Sequence, residues 1–348
     1  VSHRFHVGLS RDFLGPDGSL TFGDIGLDHL DRAGITRAFL TENPGELRAD
    51  DLRGCDALLL LTPRVTAATL EGAQRLALIA RFGVGYDNVD IDACTRNGVL
   101  VTITPDGVRR PVAASAMTLL LALSHRLLIK DRLVRDGRWA EKLAHMGMGL
   151  TGRTLGIIGL GNIGSELARM AEPFGLRRIA HDPYARPADG AALGIELLGL
   201  NDLLRAADYV CVCCALTSAT RHLINAERLA QMKPTSFLIN VARGPIVDQR
   251  ALTQALRDRR IQGAGLDVFE QEPVDPDDPI LKLDNVIVAP HALCWTDECF
   301  HGNGVSACQS ICNLAQGRMP AHVVNRDVQN SPLFQEKLRH IASYDRAT

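Results

Sequence analysis

"TLGIIGLGNIG", residues 154–164, decides how this chain is read. Its first half is an apolar run of strand length. Its second half sets glycines at 159, 161 and 164, the G-x-G-x-x-G spacing, and leads into "NIGSELARMAEPFG" (162–175), a helical pattern stopped by Pro173 and Gly175. Glycines alone mark any turn, but between a strand and a helix each has a use. Gly159 makes the tight turn, Gly161 lets a pyrophosphate approach the backbone, and Gly164 lets helix and strand pack closely. The amides of Asn162 and Ile163 then lie at the positive start of the helix, where a phosphate is stabilised. The next strand, "RRIAHD" (177–182), ends on Asp182, 18 residues beyond Gly164. A carboxylate there accepts both ribose hydroxyls of adenosine and repels a 2′-phosphate, so NAD is favoured over NADP. Arg186 nearby pulls the other way, and Asp182 before Pro183 is also an ordinary turn former.

Outward from this motif the chain alternates short apolar runs with helical patterns. Further strands are read at "DYVCVC" (208–213), "SFLIN" (236–240), "QGAGLDV" (262–268) and "NVIVAP" (285–290), with helices near 200–206, 225–231 and 248–258. That rhythm means a parallel, doubly wound α/β sheet. The first hundred residues carry a weaker pattern of the same kind: "FHVGLS" (5–10), "DIGLDHLDRAG" (24–34), "ITRAFL" (35–40), "DALLLLT" (56–62) and "LALIARFGVG" (76–85). A long helix is expected over 111–135 and another over about 297–316. The tail, 331–348, reads as a short amphipathic helix.

The whole chain sets limits. Its 348 residues suit two domains, and 46% apolar with 22% charged residues is an ordinary globular balance. A net charge of −2 gives no footprint for nucleic acid. The longest apolar stretch, 112–129, is broken by Ser115, Ser124, His125 and Arg126, which argues against a membrane span. "VSHRFHVGLSRDF" lacks a long apolar run, so no secretion signal is indicated and a cytoplasmic location is expected. Of nine cysteines, Cys211, Cys213 and Cys214 lie in the apolar run "YVCVCCAL" as small core residues. Cys294, Cys299, Cys308 and Cys312 gather near His291 and His301, but none forms a C-x2-C pair. Reduced thiols and no metal are expected.

Three polar residues stand just past consecutive strands. Arg243 follows "LINVA", Glu272 follows "GLDVFEQ" and His291 follows "NVIVAP". A guanidinium at the edge of a core is costly unless paired. Ligands of open parallel sheets bind beyond the carboxyl ends of the strands. Oxidation of a hydroxy acid needs a cation for the carboxylate and carbonyl, an acid/base for the hydroxyl proton, and a carboxylate to keep that base charged. Arg243, His291 and Glu272 are those three. Singly, each reads as a strand-end charge on a solvated loop; together, after a nucleotide motif, they form a site.

The chain resembles the D-isomer-specific 2-hydroxyacid dehydrogenase family over about residues 55–325. The likeness is carried by "RFGVGYDNVD" (81–90), "LTGRTLGIIGLGNIG" (150–164), "HDPY" (181–184), "LINVARGPIVD" (238–248), "GLDVFEQEP" (265–273) and "APH" (289–291). It implies a Rossmann NAD-binding domain (105–293) inserted into a flavodoxin-like substrate domain made from both chain ends (1–104 and 294–348). It also implies a homodimer formed through the hinge helix, and the apolar residues Val112, Met117, Leu120 and Leu121 with the arm 137–149 are expected to meet a second copy. Backbone amides of Val84 and Gly85 would hold the substrate carboxylate with Arg243. His291 would exchange a proton with the C2 oxygen, and Glu272 would favour its imidazolium. Asp267 would take the nicotinamide carboxamide, with Ala215, Thr220, Val241, Ala242, Arg243 and His291 also along the cofactor.

Departures from the family pattern are expected to tune the substrate. The usual "VAE" is "VAA" (112–114) and the usual "PLT" is "ALT" (215–217). Cys294 stands where a serine often touches substrate, with bulky Trp295 beside it. Arg64, Arg109 and Arg110 are candidates for a second anionic group, although Arg109 and Arg110 also read as solvated helix-start residues. The expected activity is hydride transfer between NAD and a small 2-ketoacid of the hydroxypyruvate, glyoxylate or phosphoglycerate type. Phosphite-type oxidation on the same fold and an NADH-sensing scaffold are the alternatives. The formate branch carries glutamine in place of Glu272, which argues against it.

Overall fold

The computed structural model describes residues 4–42 and 45–344. Residues 1–3 of the N-terminal stretch and 345–348 of the tail lie outside the described residues. The chain divides into two compact units, one of 1–108 with 295–348 and one of 109–294.

The first unit holds five parallel strands: β1 (His6–Leu9), β2 (Thr36–Phe39), β3 (Ala57–Leu60), β4 (Leu78–Arg81) and β5 (Leu100–Thr102), in the order β2-β1-β3-β4-β5. This is the flavodoxin-like order. Both faces of β3 are buried, as "ALLL" demands of a central parallel strand. The helix Asp297–Ala315 returns from the far end of the sequence to cover the sheet. Phe300, Ala307, Cys308, Ile311 and Leu314 recur on one face and join Val7, Leu9, Leu59 and Ala80 in a single core. Trp295 stands half exposed, edge-on to Phe22 at 5.6 Å and to Phe300 at 5.4 Å.

The second unit holds seven parallel strands: β6 (Thr154–Ile158), β7 (Arg177–His181), β8 (Glu196–Leu197), β9 (Tyr209–Val212), β10 (Phe237–Asn240), β11 (Gly263–Leu266) and β12 (Val286–Val288). Their order is β12-β11-β10-β9-β6-β7-β8. From β6 the chain winds one way to β7 and β8, then returns to β9 and winds the other way. β6 and β9 therefore flank the point where strand order reverses, the place where such sheets bind nucleotides.

Two sequence expectations change, and two strands are added. The helix expected over 111–135 starts earlier and is two helices, Pro105–Ser124 and Leu127–Arg135, bent by 58°. The break has a cause: the Ser124 carbonyl accepts the Met148 N–H at 2.8 Å and Arg126 turns left-handed at φ 53°. The Ser124 hydroxyl is held 2.8 Å from that of buried Tyr209. The seams between units fall at 108/109 and 294/295 rather than at 104/105 and 293/294. The first turn of the long helix belongs with Asn303: Thr104 Oγ1 donates to its Oδ1 at 2.7 Å, and a Cβ on Gly107 would come within 2.3 Å of its backbone nitrogen. Finally, β5 and β8 were not read from sequence, being three and two residues long.

Among the described residues no single helix is long and apolar enough to cross a membrane. Nor does any group of three metal-ligating side chains gather. No disulfide joins any of the nine cysteines, and burial pushes the thiols of Cys94 and Cys308 up to about 12.

Candidate active site

The turn after β6 is shaped by its glycines. Gly159 has φ 95°, and a Cβ on it would lie 2.6 Å from the Cys214 nitrogen. A Cβ on Gly164 would strike the Gly159 carbonyl oxygen at 2.0 Å. Beside Gly161 nothing lies within 4 Å, so the start of helix Asn162–Ala171 is open where a phosphate would approach. Asp182, half-buried at the end of β7, reaches back to this turn. Its Oδ2 accepts the Leu160 N–H at 2.8 Å and its Oδ1 the Tyr184 N–H at 2.9 Å. A carboxylate has further lone pairs, so the same group can also receive ribose hydroxyls. Arg186 is turned to Asp189, donating from Nε at 3.1 Å and Nη2 at 2.8 Å. Past β9, Thr220 Oγ1 donates to the Ala215 carbonyl at 2.7 Å and closes the loop there. These residues fit a dinucleotide lying across the strand-reversal point.

Arg243, Glu272 and His291 all belong to the second unit, on the segments following β10, β11 and β12. Behind buried Val241, the side chain of Asn240 fixes the turn that carries Arg243. Its Nδ2 donates to the Arg243 carbonyl at 3.0 Å and its Oδ1 accepts the Ala242 N–H at 3.1 Å. Arg243 itself is half-buried, with Nη1 donating to the Ala242 carbonyl at 2.7 Å.

Glu272 Oε1 accepts the Phe269 N–H at 2.9 Å, and Oε2 lies 2.7 Å from His291 Nδ1. Burial raises the Glu272 carboxyl, but the His291 hydrogen bond, the Phe269 N–H and the charges of His291 and Arg243 outweigh it. The group is held below its ordinary value. With Nδ1 engaged, Nε2 is the ring position left to exchange a proton with a ligand.

His291 takes a left-handed backbone, φ 55°. The chain beyond it is held by Asp267, whose Oδ1 accepts the N–H groups of Ala292 and Leu293, both at 3.1 Å. Burial raises the Asp267 carboxyl, partly offset by those two amides. Asp267 thus has a task that sequence reading did not assign, fixing the segment that presents His291. Cys294 follows, half-buried, on the same segment.

Val84 and Gly85 lie in the first unit, past β4, where the preceding Gly83 N–H donates to Thr104 Oγ1 at 2.7 Å. Arg64, in the same unit, is exposed. Arg109 and Arg110 are exposed helix-start residues whose guanidinium groups converge on Glu166, at 3.8 and 3.3 Å. Sequence reading passed over His222 and Glu270, whose side chains meet at 2.5 Å. The spacing of Glu270 two residues before Glu272 was the only signal available.

The family described as "D-isomer specific 2-hydroxyacid dehydrogenase, NAD binding domain" matches residues 117–292. A glyoxylate reductase of Korarchaeum cryptofilum is 41% identical over 281 residues, 80% of this chain and 85% of that one. A glyoxylate reductase of Thermococcus onnurineus is 40% identical over 292 residues, 82% and 87% of the two chains. Among solved structures, a Thermus thermophilus protein superposes with a TM-score of 0.79 at 32% identity, covering 92% of this chain and all of that one. The NADPH-dependent glyoxylate/hydroxypyruvate reductase of Sinorhizobium meliloti, solved with citrate, gives 0.77 at 29%, covering 92% and 98%.

Proposed function

Since the chain belongs to the D-isomer specific 2-hydroxyacid dehydrogenase family, we propose that Arg243, Glu272 and His291 are its catalytic trio, reducing glyoxylate or hydroxypyruvate. The chain is an NAD-dependent oxidoreductase that moves a hydride between the nicotinamide and a small 2-hydroxyacid or 2-ketoacid. When bound, NADH supplies the hydride; the chain's own residues do the rest.

In this reading Arg243 grips the ketoacid carboxylate and polarises its C2 oxygen, drawing electron density off the carbon that receives the hydride. His291 delivers its Nε2 proton to the C2 oxygen as negative charge develops there, and takes one back in the oxidative direction. Glu272 stays ionised and steadies the imidazolium through Nδ1. Asp267 keeps the His291 segment in place and receives the nicotinamide carboxamide. Glycines 159, 161 and 164, with Asn162 and Ile163, cradle the pyrophosphate, and Asp182 takes the ribose. Ala215, Thr220, Val241 and Ala242 line the cofactor, and Cys294 touches substrate.

The observation that carries this reading is the 2.7 Å approach of His291 Nδ1 to Glu272 Oε2. It comes from loops after adjacent strands, with Arg243 on the loop after the next. The engagement of Arg109 and Arg110 by Glu166 favours a substrate with one carboxylate over one bearing a second anion. A panel of glyoxylate, hydroxypyruvate, pyruvate, phosphohydroxypyruvate and 2-oxoglutarate, followed by NADH absorbance, tests it. Glyoxylate and hydroxypyruvate are expected to lead, and no NADH oxidation with any of the five would overturn the assignment.

The arm at 137–149 leaves Trp139, Leu143 and Met146 exposed at 62%, 82% and 80%, an apolar strip suited to a second copy in a homodimer. Nine cysteines without a disulfide suit the reducing cytoplasm.

A further inference from the structure

The loop after β11 supplies the glutamates of two histidine–glutamate pairs. Glu272 meets His291; two residues earlier, Glu270 Oε1 meets His222 Nε2 at 2.5 Å. The second pair takes no part in the chemistry proposed above, yet its connections are extensive. Glu270 Oε2 accepts the Gln249 N–H at 3.2 Å, and Gln249 Oε1 accepts the Glu270 N–H at 2.9 Å. Gln249 Nε2 donates to Asp278 Oδ2 at 2.7 Å. His222 sits in a left-handed backbone, φ 50°, with its N–H donated to the Pro245 carbonyl at 2.8 Å. Arg221 Nη2 stands 3.8 Å from Glu270 Oε1. One carboxylate therefore joins three segments, those following β9, β10 and β11.

Two of these segments carry two members of the proposed trio, Arg243 after β10 and Glu272 after β11. Arg243 and Gln249 bracket the turn after β10; Glu270 and Glu272 share the loop after β11. They touch backbone to backbone at Gly244, where a Cβ would lie 1.7 Å from the Phe269 carbonyl oxygen. The amide of that same Phe269 holds Glu272 Oε1. A shift of Glu270 is thus passed directly to both Arg243 and Glu272. Charge-assisted hydrogen bonds are short and directional, which suits such a joint.

We propose that His222 and Glu270 are positioning residues, setting the separation between the substrate-gripping Arg243 and the Glu272–His291 pair. This rests on the trio assigned above. Misplacement by about an ångström near reacting groups costs on the order of a hundredfold in rate. His222→Ala and Glu270→Ala are therefore expected to lower glyoxylate kcat ten- to a hundredfold, with NADH affinity within about twofold of wild type. Hydride transfer becomes the slow step, so the primary isotope effect with 4-deuterated NADH rises. His222→Gln, whose amide can donate to the same oxygen, is expected to restore most of kcat. Hydrogen exchange in segments 241–249 and 267–273 is expected to speed up in both alanine variants, independently of activity.

The proposal is overturned if folded His222→Ala keeps wild-type kcat and isotope effect. It is equally overturned if kcat falls only with melting temperature and His222→Gln gives no rescue. Should wild-type protein reduce no ketoacid, the trio reading fails by itself, and unchanged exchange in the two segments then overturns the positioning role of His222 and Glu270.

Discussion

His291 holds its ring Nδ1 2.7 Å from Glu272 Oε2 while its backbone sits at φ 55°. A residue with a side chain pays roughly 1–2 kcal/mol to be left-handed. The two hydrogen bonds from Ala292 and Leu293 to buried Asp267 offset that cost and fix the direction in which the imidazole points. The pair is a consequence of backbone held under tension, as much as of two complementary side chains.

Arg243→Ala should remove most ketoacid turnover and leave fold and NADH binding largely intact. Loss of a bidentate contact that also polarises the reacting oxygen costs on the order of a thousandfold in kcat/KM. Lysine should rescue only in part, because a point charge cannot grip carboxylate and carbonyl in one plane. Turnover and melting temperature measured on the same sample decide the matter. If the side chain served mainly as a buried protein ion pair, the loss would appear as roughly 3–5 kcal/mol of stability instead.

Glu272→Gln should show a pH-dependent stability difference from wild type. The folded carboxyl lies below its ordinary value of 4.5, so its contribution is fully present above that value. It is lost as pH falls through the lower folded value. Melting temperatures of the two proteins should differ by a constant amount from pH 7 down to about 5, and the gap should close in more acid solution. A gap that widens toward low pH would contradict the pairing.

Asp182→Ala should narrow the preference for NADH over NADPH. Since the carboxylate also holds the Leu160 and Tyr184 amides, the variant should bind both nucleotides more weakly while losing discrimination. Kd values for the two cofactors by fluorescence provide the check. Better use of NADPH by wild type would show that this carboxylate does not read the ribose.

Leu143→Glu, placing a charge on the most exposed large apolar side chain of the arm, should give a monomer where wild type is a dimer at micromolar concentration. Light scattering distinguishes the two masses, and a monomeric wild type would exclude that interface.

The parallel, doubly wound character of the sheets was legible, though not their strand orders, because central parallel strands are continuously apolar and Gly159, Gly161 and Gly164 fix where one strand must turn into a helix. Arg243, Glu272 and His291 could be singled out because each sets a polar side chain directly after an apolar run. Short elements such as β8 were not, since two residues carry no period. The break at Ser124 was hidden because it depends on Met148 and Tyr209, distant in sequence. His222 and Glu270 escaped notice for a related reason: each is ordinary in its own segment, and only folding brings them within hydrogen-bonding reach.

The chain has two tryptophans, and the fold gives one to each unit: Trp139 to the exposed arm of the second, Trp295 to the aromatic cluster of the first. Intrinsic fluorescence therefore carries two separable signals. In a Trp139→Phe protein, emission reports only the surroundings of Phe22 and Phe300; in a Trp295→Phe protein, it reports only the arm. Denaturation followed on these two variants would reveal whether the units melt together or in turn. Dilution of the second variant would test for self-association through the arm from an optical shift alone.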